Sequence, residues 1–141
     1  MKKKILLIVF PVFNLFNMYT MNQLNRLLFS AAILLALDFI YLNMTKSTFE
    51  TQVVKIQRVV MKVKIIPAAL CYLLLVIGLN YFILRTHRPV LEAFLLGFII
   101  YGVFDTTNLA IFKKYDWKVA LMDALWGGIL FALTTSIIYA F

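Results

Sequence analysis

In the run Tyr101-Gly102-Val103-Phe104-Asp105-Thr106-Thr107-Asn108, a carboxylate, two hydroxyls and an amide sit side by side within an otherwise apolar stretch. Two more aspartates, Asp38 and Asp123, lie in similar surroundings. A carboxylate held away from water can take up and release a proton, hold a cation, or serve as one half of an acid–base pair. It is costly there, on the order of 2.5–3.5 kcal/mol at the centre of a membrane helix and less near the interface. Three such acids should therefore turn inward and share partners.

The elements that would carry them are set by composition. Of the 141 residues, 64% are hydrophobic and 14% charged, against about half apolar and a quarter charged in a soluble domain. Four runs are long and apolar enough to span a bilayer, at about residues 24–43, 65–84, 91–112 and 119–141. The second has no charge over twenty residues, about 30 Å as a helix, which matches the hydrocarbon thickness. Pro67 falls in its first turn, where a missing N–H costs least. Between the first two spans, residues 45–64 place Phe49, Val53, Ile56, Val60 and Val63 at helical steps, with Lys55, Arg58 and Lys62 opposite. That pattern predicts an amphipathic helix, either in the headgroup plane against anionic lipid or leading into the next span. The expected fold is all-α: an integral membrane bundle of four transmembrane helices forming one domain over residues 24–141.

Residues 1–23 form a hydrophobic extension of a different kind. Lys2, Lys3 and Lys4 precede nine apolar residues, as in a signal peptide, but no small-x-small cleavage site follows. Pro11, Asn14, Asn17, Asn22 and Gln23 weaken it as a span, and Met18 and Met21 are alternative starts that would make it dispensable. A helix is expected over this stretch.

Basic residues set the orientation. The side holding connectors 45–64 and 113–118, side B, carries eight of them: Lys46, Lys55, Arg58, Lys62, Lys64, Lys113, Lys114 and Lys118. Side A carries Arg26, Arg85 and Arg88, and Lys2 to Lys4 join B if the extension spans and A if it does not. Either way B is the expected cytoplasmic side. At 1.5 Å per residue, Asp38, Asp105 and Asp123 then all fall roughly 6–10 Å inside the side-B boundary.

Helical spacing names partners for this layer. Tyr101 and Asn108 share a face with Asp105, Tyr41 and Thr45 follow Asp38, and Trp126 lies one turn beyond Asp123, with Lys118 near enough to pair from the interface. Like charges and desolvation together favour the protonated form of at least one acid. Asp38, Asp105, Asp123, Tyr101, Asn108, Tyr41 and Trp126 are the candidate binding residues. Ala120, Ala124, Gly128 and Ala132 make a small-residue seam on the fourth span, which would pack within the monomer or join two copies.

Other chemistry finds little support. The +8 formal charge suits positive loops on an anionic leaflet better than nucleic acid, because the basic residues lie between apolar runs. Cys71 is the only cysteine and His87 the only histidine, leaving no disulfide and no thiolate or histidine-rich metal site. No metal and no cofactor is implied, and no catalytic residue can be named. The expected partner is the bilayer itself, with anionic lipid at Lys55, Arg58 and Lys62.

Tyr101-Gly102-x-x-Asp105-x-Thr107-Asn108-Leu109-Ala110, then Trp117-Lys118-Val119-x-x-x-Asp123-x-x-Trp126-Gly127, resembles the membrane proteins grouped as domain-of-unknown-function family 2177. Leu37-Asp38-x-x-Tyr41-Leu42 is similar to that family's first-span signature, where Trp is usual in place of Tyr41. The resemblance covers about residue 27 onward. It implies a four-helix membrane fold and marks the three aspartates as signature positions; it implies no activity. Three functions stay open: binding or translocation of a proton, cation or small polar solute; a membrane enzyme acting on a lipid-like substrate; and an accessory subunit in which the polar groups only join helices.

Overall fold

The computed structural model describes the chain from Lys2, with side chains described from Asn22 onward. Four helices follow one another: α1 (Lys2–Gln57), α2 (Ile65–Leu79) continued by a π-helical turn (Asn80–Leu84), α3 (Val90–Ile111) and α4 (Trp117–Ala140). Four segments are long and apolar enough to cross a membrane: Asn22–Gln57, Ile65–Leu84, Val90–Ile111 and Trp117–Ala140. No strand occurs among the described residues. Whether the extension at residues 1–23 crosses the bilayer lies outside the described residues.

The amphipathic stretch is no separate helix. α1 runs unbroken through Asn43 and Thr45, because their side chains bond back to the carbonyls of Phe39 and Tyr41 four residues earlier and leave the backbone helical. No Gly or Pro interrupts residues 22–57. The apolar run at residues 24–43 alone accounts for about 30 Å at 1.5 Å per residue, and the charged turns that follow it extend α1 to Gln57 past the end of that run. There the buried Gln52 donates to the Lys114 carbonyl at 3.2 Å. The amphipathic segment is thereby docked on the α3–α4 connector. It ends at Arg58, whose φ of 56° and bond from its N–H to the Val54 carbonyl form a left-handed cap. Residues 59–64 then lead to α2 outside any helix.

The α2–α3 connector closes in the same manner. His87 has φ 51°, its N–H bonds to the Leu84 carbonyl, and the Arg88 N–H bonds to the Ile83 carbonyl. This is a Schellman cap. His87 stacks on Tyr139 at 4.0 Å, and the Tyr139 hydroxyl donates to the Arg88 carbonyl at 2.7 Å. The only histidine in the chain ties the side-A loop to the end of α4.

Packing is centred on α4, which carries the longest set of buried residues, from Val119 to Thr135. Leu34 of α1, Leu79 of α2, and Leu130 and Phe131 of α4 fill the core, while large apolar side chains on all four helices face outward. Such an outward apolar belt suits lipid and would be a liability in water. α3 and α4 approach closely at Gly97 and Gly127, where a methyl group on Gly97 would overlap the Gly127 carbonyl. Of the small-residue seam, Ala124 faces Gly102 and Gly128 faces the Phe94 ring, both on α3. Ala120 is buried as well, and Ala132 is half-buried.

Candidate functional site

The side-B half of the bundle gathers the aspartates, each in a different state of satisfaction. Asp38 is 5% exposed. Its Oδ2 accepts from the Tyr72 hydroxyl of α2 at 2.5 Å, and its Oδ1 accepts from the Trp126 indole N–H of α4 at 2.8 Å. One carboxylate on α1 thus fastens two other helices. Tyr41, one turn further along α1, stacks on the Trp126 ring at 4.3 Å with 9° between planes. Its hydroxyl reaches Asp123 Oδ1 at 3.2 Å. Asp38, Tyr41, Asp123 and Trp126 therefore form one polar–aromatic cluster between α1 and α4, and Asp123 lies within electrostatic range of both other aspartates.

Asp105 is held differently. It is 1% exposed, and its Oδ1 accepts from the Tyr115 hydroxyl at 2.6 Å. Its Oδ2 is buried with no partner among the described residues. A buried carboxylate oxygen with nothing donating to it is costly, and calls for a donor from elsewhere. The space beside it is a groove of about 480 Å³ between α3 and α4. Phe98, Gly102 and Thr106 line it from α3, and Ala120, Leu121 and Ala124 from α4, with Trp117 at one end. Ile99, Val103 and Leu121 at its edge are largely exposed, so the groove opens sideways to lipid. The Thr106 hydroxyl is already spent on the Gly102 carbonyl at 2.7 Å. Asp105 is then the one acid bordering an apolar trough.

Several expected partners fall elsewhere. Tyr101 leans its ring on Gly127, and Asp105 takes its bond from Tyr115 instead. Asn108 stands beside the Tyr115 hydroxyl. Lys118 does not pair with Asp123; its ammonium lies 6.0 Å from the Trp117 ring centre, and the two ion pairs among the described residues are Lys46–Glu50 and Arg88–Glu92. Among the described residues no three His, Cys, Asp or Glu side chains are grouped closely enough to hold a metal ion.

Sequence reasoning misses two of the donors, Tyr72 and Tyr115. The depth arithmetic applied to the acids would find Tyr72, which lies seven residues in from the side-B end of α2, about 10 Å. Tyr115 carries no such signal, because it sits in a connector and reaches back over the end of α3. Burial and the bond to Asp105 push its hydroxyl above the ordinary 10.0, so it remains a donor at neutral pH. The folded state holds this proton more tightly than the unfolded chain. Its contribution to stability is intact below pH 10 and is lost as pH rises beyond that value. Tyr115→Phe is expected to cost about 1 kcal/mol in stability at neutral pH, and to flatten the alkaline loss above pH 10, measured by unfolding in mixed micelles. An unchanged alkaline slope would count against the tether.

Four antiparallel apolar helices, closed on side B by buried acids bonded to aromatic donors, define a multi-pass helical membrane protein with an intramembrane polar layer. The family described as "predicted membrane protein (DUF2177)" matches residues 23–140, and the chain belongs to it. No curated protein and no solved structure matches the chain.

Proposed function

We propose that this protein binds a small amphiphilic molecule drawn from the bilayer. The molecule's hydroxyl or protonated amine sits on Asp105 and its apolar part lies in the α3–α4 groove. The observation that carries this reading is the unpartnered Oδ2 of Asp105, buried beside an apolar groove open to lipid. A volume of about 480 Å³ falls within the usual range for small-molecule sites, which are mostly apolar with a few placed polar groups. Passage of an ion through one copy finds less support, because Leu34, Leu79, Leu130 and Phe131 fill the bundle one turn and more beyond the aspartates.

Asp38 supports a second role alongside the first. With both oxygens bonded to donors on other helices, it joins the bundle. Asp123, Tyr41 and Trp126 complete that joint and set the wall behind α4. We further propose side B as the cytoplasmic face, on its excess of basic residues, with the exposed Lys55, Arg58 and Lys62 meeting anionic lipid there.

A long-chain amine carrying a diazirine tests the binding site in liposomes. Light should attach it to α3 and α4 between Phe98 and Leu121, and a non-photoreactive long-chain amine should compete. Loss of a charge-assisted hydrogen bond is worth about 1.5–3 kcal/mol, so Asp105→Asn should lower the labelling about tenfold or more. Equal labelling of the variant and the wild type would remove the reading.

A further inference from the structure

At the side-A end, away from the aspartates, a second cavity of about 420 Å³ opens between α1 and the junction of α2 with its π-helical turn. Gln23, Arg26 and Leu27 line it from α1, facing Asn80, Tyr81 and Arg85. Two guanidinium groups border one hollow whose lining contains no acid. Glu92, the acid at this end of the bundle, is engaged with Arg88 at 3.6 Å. The Arg26 Nε is buried and has no hydrogen-bond acceptor among the described residues. A buried guanidinium N–H with nothing to accept from it is costly and calls for an acceptor.

Arg85 is placed by local structure. Asn80 begins the π turn and donates from Nδ2 to the buried Ser30 hydroxyl at 2.7 Å, pinning the turn to α1. A π turn takes in an extra residue and re-aims the side chains beyond it, and such turns recur at binding sites. Arg85 comes next and lies over the Tyr81 ring at 4.8 Å, which holds it along the rim of the cavity. Arg26 stands at the side-A start of the apolar run expected at residues 24–43, and Arg85 directly succeeds the last residue of the second span. Both stand at the side-A ends of their apolar runs, where a bilayer would place its lipid phosphates.

We propose that this cavity binds a phosphate ester of net negative charge, in preference to a zwitterionic one, with Arg26 and Arg85 gripping its oxygens. Guanidinium groups suit this task through their paired, fixed donors. The ester would be a phospholipid headgroup or a soluble organic phosphate. Leu24, Leu27 and Ile77 extend the cavity as apolar surface, as a lipid chain would need.

The full chain in phosphatidylcholine nanodiscs containing a minor fraction of phosphatidylglycerol, read by native mass spectrometry, tests this. Parallel samples in phosphatidylcholine alone receive glycerol 1-phosphate. The wild type should retain phosphatidylglycerol about tenfold above its bulk share, and the Arg26→Gln/Arg85→Gln variant should fall to the bulk share. Lys113→Gln/Lys114→Gln, on the opposite side, should keep the enrichment. Arg26→Lys/Arg85→Lys keeps the charge without the fork and should give an intermediate value. Retained glycerol 1-phosphate that is lost in the glutamine variant assigns the site to a soluble ester; retention of the lipid alone assigns it to a headgroup. Enrichment that survives both glutamine substitutions, or a wild type that enriches neither probe, overturns the proposal.

Discussion

Asp38→Ala should destabilise the folded bundle by about 2–4 kcal/mol, measured by reversible unfolding in mixed micelles. The carboxylate accepts from both the Tyr72 hydroxyl and the Trp126 indole N–H. Removing it orphans two donors in a site where water does not replace it, at about 1–3 kcal/mol each. Simple addition of the two overstates the loss, because interhelical bonds in membranes average about 0.6 kcal/mol when the unfolded helices find other partners. Two charge-assisted bonds on one buried acid nevertheless exceed that average. Asp38→Asn keeps one acceptor and turns an amide donor toward a second donor, so it should cost about half as much. Trp126→Phe loses one bond while keeping part of the stack on Tyr41. A change within about 0.5 kcal/mol for Asp38→Ala would mean that the acid does not hold the helices together.

Gly97→Ala should be similarly damaging, at about 3 kcal/mol, for a steric reason. The added methyl meets the backbone carbonyl of Gly127, which cannot swing aside as a side chain can. α3 and α4 would have to separate along the pair that also forms the groove. Three of the other glycines should give graded losses. Gly128→Ala would press a methyl to 2.7 Å from the Phe94 ring, and Gly102→Ala would only touch Ala124 at 3.8 Å. Gly78 has nothing within 4 Å, so Gly78→Ala should be neutral or stabilising by up to about 1 kcal/mol, through helix propensity alone. The order of losses Gly97, Gly128, Gly102, Gly78 is the expected result, and a flat series would contradict the close approach.

The four apolar helices are legible in the sequence because hydropathy and length decide a membrane span before any contact is made. The grouping of the aspartates at one end of the bundle is legible too, since rise per residue converts sequence position into level along a helix. Depth does not supply rotation about each helix axis. Spacing alone puts Tyr101 and Asn108 on the face of Asp105, yet the donor is Tyr115 from the connector. Likewise the four-residue step of Ala120, Ala124, Gly128 and Ala132 describes a smooth seam, whereas the close approach to Gly97 uses Gly127, one residue off that line. The amphipathic pattern over residues 45–64 suggests a surface helix because charge lies on one side. Its inner side instead carries Gln52, whose bond to the α3–α4 connector holds the end of α1 on protein.

These placements give the aspartates distinct surroundings. Asp38 acts on protein, with both oxygens engaged, and Asp123 joins it through Tyr41. Asp105 alone combines full burial, a free oxygen and an adjoining groove. The most direct measurement of that difference is native mass spectrometry of the protein purified from its own membrane in mild detergent. The wild type should carry an apolar adduct that Asp105→Asn loses, and that Gly102→Leu also loses by filling the groove, while both variants remain folded. An adduct retained equally by Asp105→Asn and the wild type would contradict a binding role for Asp105.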